Sequence, residues 1–242
     1  VSGNFSNIQT LTGNAGTLTG LAAASTWGLD GTPTYTSGGF SVGFSGFATL
    51  QGGTNADAFN VTSASSFNLN GGLGNDTFDI DAVLTGAIDG EAGADTLQGT
   101  EIDTVALSGS DGDGFAGAEA GVTVGFDGID TLTGTGTGSL SGANVASTWA
   151  LDGTPTYNDG SNTLDFSGFA TLQGGSNTDA FNVTAASSFN LNGGAANDTF
   201  DIDAELTGAI DGEAGTDTLQ GANIDGVLIT TLDANGADGT EA

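Results

Sequence analysis

Apolar and polar residues alternate one by one over Ser66–Asn70 and Asp76–Ala82. That is the period of half-buried strands. Gly-Gly and Asp-Gly pairs separate these runs, as turns require. No stretch carries a 3.6-residue apolar stripe with caps, so the chain reads as all-β. A longer period overlies the alternation. Leu50, Leu69 and Ile88 are 19 residues apart, as are Phe40, Phe59, Phe78 and Leu97. Val42, Val61 and Ile80 form a third column, and Asp57, Asp76 and Asp95 a fourth. The second half repeats the pattern in Leu172, Leu191, Ile210, in Phe181, Phe200, Leu219, and in Asp179, Asp198, Asp217. Apolar and acidic columns sharing one period predict a parallel β-solenoid (a β-helix or β-roll). Each coil would hold about 19 residues and rise by about 4.8 Å.

The chain is also duplicated. SGFATLQGG at Ser45–Gly53 recurs at Ser167–Gly175, an offset of 167 − 45 = 122. SSFNLNGG and NDTFDIDA recur at the same offset, and Phe5, Ile8 and Leu11 match Phe126, Ile129 and Leu132 at 121. Two tandem copies follow, residues 1–121 and 122–242, read as one continuous solenoid. Glu241–Ala242 corresponds to Glu119–Ala120, which runs into the second copy. The expectation is that copies of the chain continue head to tail, covalently or by association.

Charge changes the picture. The 242 residues include 30 Asp and Glu and no Lys, Arg or His, a formal charge of −30. Two carboxylates about 5 Å apart repel by roughly 0.8 kcal/mol even at the dielectric of water. A stacked acidic column therefore calls for an outside cation. Nucleic acid and anionic membranes are excluded as partners, because both need basic patches. The 37% hydrophobic content and 14 Phe argue for a narrow core rather than disorder. The 44 glycines fit a chain that turns tightly and often. Cys is absent, so no disulfide staples the fold. Position 1 is Val, so the chain is expected to be a processed product or an excerpt, its signal peptide gone. No run of about 18 apolar residues exists, so membrane insertion is not expected. An enzyme is not expected either, since no His, Cys, Lys or Arg exists to act as base, nucleophile or oxyanion clamp. Asp79, Asp81, Asp201 and Asp203 read as a wet strand face rather than a catalytic pair.

Gly71–Asp79 reads GGLGNDTFD, and variants begin at Gly52, Asp89, Gly174 and Gly193. This resembles the nonapeptide G-G-x-G-x-D-x-U-x of RTX calcium-binding repeats, found in bacterial extracellular adhesin and filament proteins. The resemblance implies several calcium ions held by hard oxygens of the glycine-rich loops. The candidate ligands are Asp57, Asp76, Asp95, Asp179, Asp198 and Asp217, with Asn55, Asn75, Asp89, Asn177, Asn197 and Asp211. Only one nonapeptide falls in each 19-residue coil, so the ions would form a column along a single edge. The alternative reading of each loop is a plain turn whose Asp caps its own backbone.

Other features carry less. Trp27 and Trp149 occupy matching STW-x-LDG segments, where a core role outweighs carbohydrate stacking. Thr131, Thr133, Thr135 and Thr137 resemble an ice-binding array, yet do not recur every 19 residues. Asp103, Asp130 and Asp225 read as solvated turns. The resulting expectation is a structural, calcium-stabilised subunit of an extracellular filament or adhesin stalk on a bacterial surface. An ice- or glycan-binding adhesin domain is the alternative.

Overall fold

The computed structural model describes residues 4–233 and 236–241. Val1 and Ala242, which the sequence places at the head-to-tail join, lie outside the described residues. The first strands are β1 (Thr10–Thr12), β2 (Thr17–Thr19), β3 (Ser25–Leu29), β4 (Thr34–Ser37), β5 (Phe40–Ser45), β6 (Thr49–Gln51), β7 (Asp57–Val61), β8 (Asn68–Leu73) and β9 (Thr77–Ile80). Then come β10 (Ile88–Ala92), β11 (Thr96–Gln98), β12 (Thr104–Ser110), β13 (Phe115–Glu119), β14 (Val122–Ile129), β15 (Thr131–Thr133), β16 (Ser139–Ser141), β17 (Ser147–Leu151) and β18 (Thr156–Asn158). The last are β19 (Thr163–Ser167), β20 (Thr171–Gln173), β21 (Asp179–Val183), β22 (Asn190–Asn192), β23 (Thr199–Ile202), β24 (Ile210–Asp211), β25 (Thr218–Gln220), β26 (Val227–Asp233) and β27 (Gly236–Glu241). No helix occurs among the described residues.

The chain divides into two compact units, Val1–Ile102 with Asp111–Thr133, and Asp103–Ser110 with Gly134–Ala242. In the first unit one sheet runs β1-β5-β4-β3-β7-β9-β11-β15 and another runs β2-β6-β8-β10-β14-β13. In the second unit the sheets run β19-β18-β17-β21-β23-β25 and β12-β16-β20-β22-β24, beside the hairpin β26-β27. Most neighbours are parallel. Phe59 pairs with Phe78, Phe78 with Leu97, and Leu50 with Leu69, which in turn pairs with Ile88. These are the columns that the 19-residue period predicts. All are buried to within 1%. Like rings therefore lie over like rings: Phe59 and Phe78 stack at 5.1 Å with an interplanar angle of 11°.

Two members of those columns are misplaced by the period. Phe40 is 83% exposed and pairs with Ser37, and Val42 pairs with Tyr35. The strand beside Phe59 and Val61 is β3, which brings Trp27 and Leu29. The cause is an inserted antiparallel excursion, β4 and β5, closed by Gly38 and Gly39, both at positive φ. Two consecutive positive-φ residues are the geometry of a type I′ hairpin turn, and glycine adopts it without strain. The excursion lengthens the step between stacked strands to 32 residues, from Ser25 to Asp57. The same device recurs in the second unit, where β18 and β19 stand between Trp149 and Phe181.

Candidate functional site

Asp57, Asp76 and Asp95 stand at the start of β7 or just before β9 and β11, and they form one line. They point inward, with at most 2% of each exposed. The Asp57 N–H donates to Asp76 Oδ1 at 2.7 Å, and the Asp76 N–H donates to Asp95 Oδ1 at 2.7 Å. The line continues into Asp130, whose Oδ2 accepts from the Asp95 N–H at 2.9 Å. Asp130, expected as a solvated turn, is thus part of the column. At the opposite end the Ser25 hydroxyl donates to Asp57 Oδ1 at 2.5 Å. The second unit repeats the line. The Ser147 hydroxyl donates to Asp179 Oδ1, the Asp179 N–H to Asp198 at 2.8 Å, and the Asp198 N–H to Asp217 at 2.9 Å.

The glycine five residues before each aspartate makes this possible. A Cβ on Gly71 would lie 2.4 Å from Asp76 Oδ2 and 2.6 Å from the Gly90 carbonyl oxygen. A Cβ on Gly90 would lie 2.0 Å from the Gly128 carbonyl and 2.7 Å from Asp95 Oδ2. Gly52, Gly174, Gly193 and Gly212 are hemmed in alike by Asp57, Asp179, Asp198 and Asp217. The glycine leaves the volume that the next strand's backbone and the buried carboxyl occupy.

One oxygen of most of these carboxyls has a partner and the other does not. Asp76 Oδ2, Asp95 Oδ2 and Asp198 Oδ2 are shielded from solvent with no hydrogen-bond partner. Asp57 and Asp179 differ, because the Gly53 and Gly175 N–H groups donate to their Oδ2 atoms. Burial pushes the Asp76 and Asp198 carboxyls up to about 6 and Asp95 to about 7, with neighbouring carboxylates adding to the shift. Burial also raises Asp179. Loss of hydration favours the neutral acid, which is the cause in each case.

The remaining predicted ligands lie elsewhere. Asn75 and Asn197 are exposed, and their Oδ1 atoms accept from the Ala94 and Thr216 N–H groups. Asn55 is exposed, and exposed Asn177 donates to the Asn144 carbonyl at 2.7 Å. These amides clip one strand's turn to the next. Asp89 and Asp211 belong to the second sheet of each unit, where each Oδ1 accepts an N–H two residues on. The twelve nominated residues therefore occupy three separate lines.

A different carboxylate group surrounds Asp89. Asp89 stands directly opposite Asp127 in the β10–β14 register. Its carboxyl is raised first by burial, then by Glu91, Asp127 and Asp113. Glu91 has φ of 60° and takes hydrogen bonds from Gln51 and Asn70. Sequence reasoning missed Glu91, Asp113 and Asp127, because none lies on the 19-residue acidic column. The repeated DGEAG segment, with Glu91 matched by Glu213, was the available signal.

Calcium needs six to eight oxygens at about 2.3–2.6 Å. The inner column suits a proton better than an ion, since its free oxygens press against glycine backbone. The Asp89–Asp127 pair, with Glu91 and Asp113 about it, fits the donor chemistry, though carbonyls or water must complete the set. Among the described residues, no three carboxylates converge on one point. Trp27 and Trp149 are fully buried and are not available to stack on a sugar. Thr77, Thr96 and Thr131 do align, but the next outward column is Asn60, Asp79, Gln98 and Thr133.

The chain matches no protein-family model, no curated protein and no solved structure.

Proposed function

We propose that this chain is a structural β-solenoid module, about 19 residues to the ordinary coil, in an extracellular bacterial filament or adhesin stalk. Calcium stabilises it, and other copies of the same repeat are its partners. The observation that carries this reading is the unbroken stacking of like on like: apolar over apolar, Asp over Asp, glycine over glycine. Such a stack resists bending and offers no catalytic constellation, which suits a spacer. The charge of −30 supports the cation. A divalent ion between Asp89 and Asp127 would replace repulsion between facing carboxylates with shared coordination. Millimolar calcium outside the cell would then favour the folded stack, and scarce calcium inside would favour an exportable chain.

Thermal unfolding followed by circular dichroism tests this at pH 8, in calcium and in chelator at matched ionic strength. The melting temperature is expected to rise with calcium and to lose most of that rise in Asp127→Asn. Equal melting temperatures with and without calcium would overturn the cation's role.

A further inference from the structure

We infer that the edge formed by β24, β25 and β26 binds the edge formed by β1, β2 and the segment around Phe5 in a second copy of this chain. This deepens the structural role proposed above and rests on it. The duplicated sequence supplies the template, because the counterparts of these two edges already meet inside the chain.

Three parallel pairings make that internal joint. Leu97 in β11 pairs with Leu132 in β15, Ile88 in β10 with Phe126 in β14, and Val105 in β12 with Leu140 in β16. All six are buried to 4% exposure or less. The counterparts of Leu97, Ile88 and Val105 are Leu219, Ile210 and Val227, at an offset of 122. The counterparts of Phe126, Leu132 and Leu140 are Phe5, Leu11 and Leu18. These counterparts are left open. Phe5 is 70% exposed, Leu219 49% and Val227 55%. Ile8 is 47% exposed where its counterpart Ile129 is fully buried. Identical apolar positions are thus covered at one place and bare at two others, and the two bare edges are the complementary halves of the covered joint.

The register follows directly. Thr218, Leu219 and Gln220 of one chain lie beside Thr10, Leu11 and Thr12 of the next, as Thr96, Leu97 and Gln98 lie beside Thr131, Leu132 and Thr133. Ile210 meets Phe5, and Val227 meets Leu18. The substitutions between the copies favour association. Asp127 and Asp130, which bring charge to the internal joint, are replaced by Ser6 and Gln9, so two carboxylates are absent from the joint between chains. One substitution weakens it: fully buried Phe115 is matched by Ala237. The two edges differ, so the contact is head to tail and leaves a free edge after every addition, which gives open-ended growth rather than closed dimers.

The test is the mass of the 242-residue chain by light scattering across a concentration series, in calcium and in chelator, with circular dichroism on each sample. The wild type is expected to form linear oligomers whose mean mass climbs with concentration. Leu219→Asp and Phe5→Asp, each blocking one edge, are expected to run as single chains with unchanged β signal. Mixed in equal amounts they are expected to yield a two-chain species, because each keeps the edge the other has lost. Phe40→Asp, an exposed aromatic on neither edge, is expected to associate as the wild type does. If Leu219→Asp loses its β signal, Phe5→Asp added in small proportion to wild type must still shorten the oligomers. Single wild-type chains at every concentration, no two-chain species from the mixture, or equal disruption by Phe40→Asp would overturn the inference. Calcium-dependent β signal from chains that never associate refutes only the joint. Association with a β signal indifferent to calcium refutes only the cation's role.

Discussion

An aspartate with one satisfied oxygen and one buried, unpartnered oxygen is the unit from which the chemistry of this protein follows. Asp76, Asp95 and Asp198 are in that state, and their folded pKa values of about 6, 7 and 6 lie above the ordinary carboxylate value. The folded chain therefore holds more protons than the unfolded chain between about pH 4 and pH 7. That stabilisation is complete below about pH 4 and is lost as pH rises through 6 and 7. In chelator, the melting temperature is expected to fall steadily from pH 4 to pH 8, and a flat profile would contradict it. Asp95→Asn keeps the acceptor for the Asp76 N–H and removes the ionisation. It is expected to flatten the pH profile and raise the melting temperature at pH 8, by about 2–4 °C for each kcal/mol gained. The glycines permit a second test. Gly90→Ala would set a Cβ 2.0 Å from a backbone carbonyl, and is expected to cost at least about 1–3 kcal/mol in urea unfolding. Gly16→Ala meets nothing within 4 Å and is expected to stay within about 0.5 kcal/mol.

Strands and excursions are the next level. The 19-residue step sets the parallel ladder wherever the chain returns directly to its starting corner. Hairpins β4–β5 and β18–β19 lengthen that step, and each excursion is tied back by a tyrosine. The Tyr157 hydroxyl accepts the Ala143 N–H at 2.9 Å, and burial pushes its pKa up to about 12. The Tyr35 hydroxyl accepts the Leu21 N–H at 2.7 Å in a more exposed setting. Tyr157→Phe would strand a buried donor and is expected to cost about 1–3 kcal/mol. Tyr35→Phe is expected to cost less, because water can replace the hydroxyl. Comparing the two by denaturant unfolding checks that burial, not the bond itself, sets the size of the effect. The strands were legible in the alternation around Phe67, Leu69, Phe78 and Ile80. The excursions were not, because Phe40 and Val42 fall on the 19-residue period by number while the chain at that point is turning back on itself.

Across the molecule, charge decides. No cation side chain exists to answer 30 carboxylates, so ions and protons must do so. Exposed carboxylates respond to ionic strength, since the screening length is about 10 Å at 0.1 M salt and about 3 Å at 1 M. Sodium chloride is expected to raise the melting temperature gradually over that range. Calcium, if held by the Asp89–Asp127 pair, is expected to act at millimolar levels that barely change ionic strength. A calcium response matched by sodium chloride of equal ionic strength would reduce the effect to screening. The inner column is expected to remain insensitive to both, since its oxygens are sealed from solvent.

The sequence by itself determined the all-β class, the 19-residue ladder and the alignment of Asp57, Asp76 and Asp95, because periodic side chains in a stacked chain must superimpose. It could not determine on which side of the backbone that acidic line falls. A loop edge open to ions and a buried rail of backbone hydrogen bonds have the same spacing in sequence. Only the tertiary structure decided between them, through the missing Cβ atoms of Gly52, Gly71 and Gly90, which open just enough interior for a carboxyl group. The facing of Asp89 and Asp127 was likewise hidden, since the partners come from a strand step that departs from the period.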